Sequence, residues 1–196
     1  MKFYLKKIFY LIDKYYSYFR INLILKKIRK KNKKIKLIIG SASTNYKGWI
    51  KTNIYSLNLL DTKSFKNFFN ENEIDNILAE HVFEHLSLKD GLISTNNIYK
   101  FLKKGGNIRI AVPDGNFKNQ NHLDSVKPGG SGPGAHDHKV LYNYELIKKI
   151  IDTSKYSIDF LEYFDERGNF IEKNWSIDEG FVQRSTDLIL EKKGVV

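Results

Sequence analysis

Residues 79–86 read AEHVFEHL and contain His81-x-x-Glu84-His85, a set of side chains that can bind a metal ion. The same H-x-x-E-H spacing occurs in one class of zinc peptidases. Such a site needs both imidazoles on one face of a helix and a third ligand from elsewhere. Here the pattern follows an apolar run typical of a strand, and the best helix start, Ser87, comes after it. One helical turn could still bring the two rings together, but we expect these residues to line the mouth of a sheet and to bind no metal.

The elements that would position these residues alternate between strand and helix patterns. Apolar β-branched runs at 35–40, 49–55, 74–80 and 107–113 predict strands, and helical spacing at 62–70 and 88–102 predicts helices between them. Ser87 and Asp90 form a capping-box-like start, and Gly105 and Gly106 supply a stop. The gap between Gly40 and Trp49 is too short for a full crossover helix. The alternation predicts an α/β protein with a mostly parallel sheet.

The second half of the chain is less regular. Residues 115–139 contain PGGSGPGAHDH and predict a long loop, which lacks the lysine–hydroxyl ending of a phosphate-binding P-loop. A loop of this length in a compact domain is typical of a lid or a binding loop. Residues 142–154 predict a further helix, and residues 158–164 and 185–192 predict late strands.

The positive charge of the chain is concentrated at its start. Residues 1–36 carry thirteen Lys and Arg against the single acid Asp13, whereas the rest carries twenty basic residues against twenty-one acids. We divide the chain into a basic, aromatic helical arm, residues 1–34, and a domain, residues 35–196. A nucleic-acid-binding domain would spread its Lys and Arg over the fold, so we expect no nucleic-acid partner. The arm either packs on the domain or lies as an interfacial helix on an anionic membrane, and its apolar runs are too short to span a bilayer.

Several phrases, in order, carry a family resemblance: GWI, ILAEHVFEHL, FLKKGGNIRIAVPDG, HKVLYNYELI, LEYFDERGNF and Arg184-Ser185. From residue 35 to its end the chain resembles class I S-adenosylmethionine-dependent methyltransferases, in particular a bacterial branch associated with surface polysaccharide biosynthesis. The resemblance implies a three-layer Rossmann-like methyltransferase fold with a shortened first crossover. It also implies methylation of O or N on a small-molecule or glycan/lipid-linked acceptor. The expected location is the cytoplasm, with a peripheral contact at the inner membrane left open by the arm.

Binding of S-adenosylmethionine needs a tight turn, a hydrogen-bonding group for the ribose and a polar group for the adenine, all at the strand ends. We expect the turn at Gly40, Ser41 and Ala42, the ribose at Asn53, the adenine at Asp61, and the methionine end at Glu80 and His81. Two of these depart from the family pattern, which usually has glycine at Ala42 and an acid at Asn53. A non-catalytic binding or scaffold protein is therefore the alternative hypothesis.

Methyl transfer to a hydroxyl or amine also needs a group that removes a proton, and histidine suits that task near neutral pH. The candidates for the catalytic site are His85, His138 and Asp114. Each has a structural alternative: His85 as a hydrogen-bonding residue below the sheet mouth, His138 as part of a surface loop, and Asp114 as a cap for the turn that follows it.

Overall fold

The computed structural model describes residues 2–176, with side chains from residue 11 onward. In chain order its helices and strands are α1 (Lys2–Lys30), β1 (Lys36–Ile39), β2 (Ile50–Lys51), α2 (Thr62–Lys66), β3 (Ile74–Glu80), α3 (Leu88–Phe101), β4 (Leu102–Ala111), α4 (Gln120–Val126), α5 (Tyr144–Lys149), β5 (Glu162–Phe164) and β6 (Phe170–Glu172). Two 3₁₀ turns, Phe83–His85 and Ala135–Asp137, complete the regular structure of this part.

The first four strands form one parallel sheet in the order β2-β1-β3-β4. The chain is therefore an α/β protein, as its alternating pattern predicted, and the sheet is compatible with a Rossmann-like fold. In the described segment between β1 and β2 there is no helix, which agrees with the short gap in the sequence. The late strands differ from expectation, because β5 pairs with β6 in a separate antiparallel hairpin. The predicted strand at 185–192 lies outside the described residues, as do Arg184 and Ser185.

Strand β4 begins five residues earlier than the sequence indicated. Ile74 pairs with Leu102 but Asn76 pairs with Asn107, so residues 103–106 bulge opposite a single residue of β3. The two glycines are therefore part of this bulge, which begins two residues after the end of α3. A β-carbon on Gly106 would lie 2.8 Å from the Asp75 carbonyl oxygen, so this close approach requires glycine.

The predicted loop at 115–139 contains more regular structure than expected. Helix α4 begins after Asn119, whose side chain accepts a hydrogen bond from the His122 amide, and a 3₁₀ turn follows at Ala135–Asp137. Asn caps helices well, but α4 buries no side chain and so lacks the apolar periodicity by which sequence patterns reveal helices.

Alternation along β1 and β3 separates two hydrophobic clusters. Leu37 and Ile77 face the main cluster, to which α1, α2 and α3 all contribute buried side chains. Ile38 and Leu78 face the other way, against Trp49 and the partly buried Tyr46. Stacked rings of Phe65 and Phe101, with centroids 4.8 Å apart, join α2 to α3 inside the main cluster. Among the described residues, the main cluster receives side chains from helices, whereas the opposite cluster consists of strand and loop residues alone. The second helical layer of a three-layer fold stays a prediction.

Helix α1 is integrated into the main cluster. Ile21 and Leu25 are fully buried, four residues apart on one side of the helix. Near its end, the Arg29 guanidinium bonds both carboxylate oxygens of Glu73, at 2.7 and 2.9 Å, and donates to the Phe68 carbonyl at 2.6 Å. Burial alone would raise the pKa of Glu73, but the bonds from Arg29 and from the Asn70 amide lower it below its usual value. None of the described helices is long and apolar enough to cross a membrane.

Replacement of Leu25 with alanine tests this attachment. We expect Leu25→Ala to lower the free energy of unfolding by about 2–5 kcal/mol, because it leaves a cavity between α1 and the sheet. Leu23→Ala, on the exposed side of the same helix, should change it by less than about 0.5 kcal/mol. Urea denaturation of both variants provides the measurement. Equal small effects would show that α1 does not contribute to the folded core.

Candidate functional site

The order of the strands reverses at one place in the sheet. From β1 the chain first adds β2 on one side, then returns to add β3 and β4 on the other. In open parallel sheets, ligands bind beyond the carboxyl ends of the strands at such a reversal. Because Ile39 pairs with Ala79, the residues that follow in each strand, Gly40 and Glu80, emerge side by side. The structure therefore brings together the predicted turn and the predicted methionine-end residues.

The turn after β1 has a left-handed backbone. Gly40 has φ of +57° and Ala42 has φ of +42°. A β-carbon on Gly40 would lie 2.7 Å from Cγ2 of Val82, so the turn packs directly against the segment that follows β3. The Ser41 amide donates to the Thr52 carbonyl at 2.9 Å and ties the turn to the end of β2. Ala42 adopts a left-handed conformation that favours glycine, the residue that the family pattern usually has at this position.

The end of β3 is strained in the same way. Glu80 is fully buried, and the Thr44 hydroxyl of the turn donates to its Oε2 at 3.4 Å. His81 has φ of +55°, its amide donates to the Ala111 carbonyl at 2.9 Å, and its Nδ1 lies 3.0 Å from Oε1 of Glu84. A left-handed histidine is uncommon, and strained backbone of this kind concentrates at binding sites. No pattern in the sequence indicated this backbone conformation of His81.

Asn53 lies at the same edge of the sheet, but its side-chain oxygen bonds the backbone of the residues that follow it. Oδ1 accepts hydrogen bonds from the amides of Tyr55 and Ser56, at 3.1 and 3.0 Å. Its Nδ2 donates to Oδ2 of Asp13, in α1, at 3.2 Å. Asp13 is half-buried, and it is the one acid among the first 36 residues. The structure thus places a carboxylate beside the predicted ribose position, supplied by the arm. Sequence reasoning missed this residue because the contact spans 40 positions.

Asp61 is exposed and serves as the N-cap of α2, where its side chain accepts from the Lys63 amide at 2.9 Å. Its predicted contact with adenine stays a prediction. A carboxylate at an N-cap is explained by the cap alone.

The two predicted catalytic histidines lie together, although 53 positions separate them in the chain. The rings of His85 and His138 meet edge to face, with centroids 4.7 Å apart. Asp137 bonds Nδ1 of His85, and Nδ1 of His138 donates to the Val126 carbonyl at 2.7 Å. Glu84 connects this pair to the end of β3, since it contacts His81 and its carbonyl accepts from the Lys139 amide at 2.7 Å.

Asp114 has a different environment from the histidine pair. Its Oδ1 accepts from the Asn116 amide at 2.9 Å and its Oδ2 from the Phe164 amide at 2.8 Å. Burial raises the pKa of this carboxyl group, and the two amide bonds oppose that shift. Both carboxylate oxygens accept hydrogen bonds from backbone amides, which matches the structural alternative in which Asp114 caps a turn. Asp114 also lines a cavity of about 480 Å³ along β4, whose other walls include Tyr144, Phe160 and Trp175. The lining of that cavity includes no residue of the Gly40 turn.

Comparison of the chain with protein-family models, with curated proteins and with solved structures found no match. The case for a function therefore rests on the residues of this chain.

Replacement of Ala42 tests the strain in the turn. We expect Ala42→Gly to raise the free energy of unfolding by up to about 1 kcal/mol, because relief of the left-handed alanine, about 1–2 kcal/mol, exceeds the entropic cost of glycine, about 0.5–1 kcal/mol. Ala111→Gly, in β4 with ordinary φ, should instead lower it by about 0.5–1 kcal/mol. Thermal or urea denaturation distinguishes the two. A similar loss in both variants would contradict the left-handed turn.

Proposed function

We propose that the chain is an S-adenosylmethionine-dependent methyltransferase that acts on a small-molecule or glycan/lipid-linked acceptor. One observation carries the proposal: the reversal of strand order between β1 and β3 coincides with the left-handed turn at Gly40 and with the buried carboxylate of Glu80. Of the phrases that resemble class I methyltransferases, ILAEHVFEHL falls on β3, Glu80 and the segment that follows. The cofactor supplies a methyl group on a positively charged sulfur, and the protein positions donor and acceptor for in-line transfer.

The residues near the Gly40 turn fit the methionine part of the cofactor. The exposed turn at Ala42 and Ser43 lets a ligand approach the backbone, as the methionine part of the cofactor requires. Glu80 lies behind that turn and would orient a positively charged group through Thr44. At the other end, the carboxylate of Asp13 would accept hydrogen bonds from the ribose hydroxyls beside Asn53. A carboxylate offers the pair of charged acceptors that an amide lacks.

The histidine pair fits the acceptor side. Asp137 orients His85 through Nδ1, so the other ring nitrogen of His85 is left to face a substrate. For a hydroxyl or amine acceptor, an imidazole in this position would take up the proton that leaves on methylation. Contacts that run from His81 through Glu84 to the loop of His138 support this assignment, because they connect the pair to the proposed donor end.

We also propose that the outer side of α1 lies on an anionic membrane, where a lipid-linked acceptor would be reached. Tyr15, Tyr16 and Phe19 are 70%, 65% and 64% exposed, and Ile12 and Leu23 continue the same stripe at helical spacing. Lys26, Lys27 and Lys30 are exposed in the last turns of this helix. Aromatic side chains next to lysines are typical of interfacial helices on anionic lipid.

Cofactor binding by the full chain is the first test. We expect S-adenosylhomocysteine to bind in isothermal calorimetry and Asp13→Asn to weaken binding about tenfold, because a hydrogen bond to a charged group contributes about 1.5–3 kcal/mol. Glu71→Gln, an exposed acid outside the site, is the matched control. Absence of binding at millimolar ligand would favour the scaffold alternative. An unchanged affinity in Asp13→Asn would remove the arm from the ribose position.

Vesicle co-sedimentation tests the membrane contact. The wild-type chain should bind vesicles that contain phosphatidylserine and bind phosphatidylcholine vesicles less. A variant with Tyr15→Ser, Tyr16→Ser and Phe19→Ser should lose most of this binding, whereas Ile171→Ser on β6 should not. Removal of the whole arm would be a poor test, since Ile21 and Leu25 belong to the core. Equal sedimentation of the triple variant and the wild type would contradict the contact.

A further inference from the structure

We propose that Glu84, His85 and His138 form a binding site for a divalent transition-metal ion. One carboxylate oxygen of Glu84 and one ring nitrogen of each histidine all lie within 4.8 Å of one another. The expectation from the sequence was different, since it considered His81 with His85 and favoured no metal. In the structure His81 turns to the carboxylate of Glu84, and His138 joins from the distant loop.

The backbone holds the ligands in place before any ion binds. Glu84 and His85 lie in the 3₁₀ turn after β3, and His138 follows the second 3₁₀ turn. The amides of Lys139 and Val140 both donate to the Glu84 carbonyl, at 2.7 and 3.3 Å. The two segments are thus fixed to each other next to the three side chains.

Hydrogen bonds orient both imidazoles as metal-binding histidines are oriented. A histidine that binds a metal through one nitrogen usually donates from the other to a carboxylate or to a backbone carbonyl. His85 has Asp137 on Nδ1, and His138 has the Val126 carbonyl on Nδ1. These partners leave Nε2 of each ring for a ligand.

The buried carboxylate of Glu84 is a second observation, independent of the distances, that points to a bound cation. It is 1% exposed, and Oε1 lies 3.0 Å from Nδ1 of His81. Its second oxygen, Oε2, is buried and has no hydrogen-bond partner among the described residues. A buried carboxylate oxygen without a partner is costly, and few native groups are left so. A cation held between Oε2 and the two imidazoles would satisfy it.

The donor set indicates the kind of ion. Two imidazoles and one carboxylate suit zinc and its first-row neighbours, whereas calcium and magnesium prefer oxygen ligands alone. Metal–ligand bonds of about 2.0–2.2 Å place ligand atoms up to about 4 Å apart, so side-chain rotations that close the site by about 1 Å would suffice. Three protein ligands leave a coordination position open for water or for a substrate oxygen. Because the ion would use Nε2 of His85, His85 could not act as the proton acceptor in the metal-bound chain, and water at the open position would take that role.

Metal binding is measured on the full chain without cofactor, so its outcome is separate from that of the proposed methyl transfer. After treatment with a chelator and removal of that chelator, the wild-type chain should bind one equivalent of Zn²⁺ in calorimetry. Co²⁺ in the same site should give the visible absorption of a low-coordinate ion. Glu84→Gln and His138→Ala should each abolish the stoichiometric binding, and Asp137→Asn should weaken it about 10–100-fold.

His136→Ala is the matched control, because it removes an imidazole from the 3₁₀ turn that precedes His138 but lies outside the cluster. This variant should bind Zn²⁺ as the wild type does. Circular dichroism of every variant shows whether the fold is kept. The proposal is overturned if the wild-type chain binds no equivalent of Zn²⁺, or if Glu84→Gln, folded, binds it as tightly as His136→Ala does.

Discussion

The parallel pairing of β1 with β3 is the constraint on which the site depends. Its register sets Ile39 against Ala79, so that Gly40 and Glu80 leave the sheet as neighbours. Both chain segments must then turn sharply in a confined space, and the backbone is left-handed at Gly40, Ala42 and His81. Val82 fills the space that a β-carbon on Gly40 would need. A shift of one residue in this register would move every buried side chain of the strand to the opposite face of the sheet. Packing of the core therefore stabilises the register, and the register sets the geometry of the site.

Helix α1 carries much of the positive charge of the chain and also contacts the candidate site through Asp13. One side of the helix, with Ile21 and Leu25, belongs to the main hydrophobic cluster, and the other side exposes Tyr15 and Phe19. The boundary near residue 34 therefore marks a change in charge, whereas the hydrophobic core includes side chains from both sides of it. Asp13 extends this integration to the strand ends through its contact with Asn53. In the proposed enzyme a single helix would hold the ribose on its inner side and lipid on its outer side, so that occupancy of either could affect the other.

The sequence predicted those parts of the fold that depend on local pattern. The apolar β-branched runs predicted the bounds of β1 and β3 to within one residue, and Ser87 caps α3 as its spacing with Asp90 indicated. Contacts between distant positions could not be predicted, among them Asp13 with Asn53 and His85 with His138. The bulge at Gly105 and Gly106 was hidden because glycine also ends helices. The left-handed His81 was hidden because its residue type seldom adopts that backbone. At the candidate site, the pattern thus identified the Gly40 turn and Glu80, while the partners that complete them required the three-dimensional structure.

The most direct measurement is an amide nuclear magnetic resonance titration of the isotope-labelled chain with S-adenosylhomocysteine. If the nucleoside binds where β1 and β3 diverge, the shifted amides should cluster at residues 40–44, at Asn53, at 80–82 and at Asp13. Amides at 143–144 and 160–163, beside the cavity along β4, should stay unchanged. Shifts confined to that cavity, or no shifts at saturating ligand, would contradict a cofactor site at the reversal of the sheet.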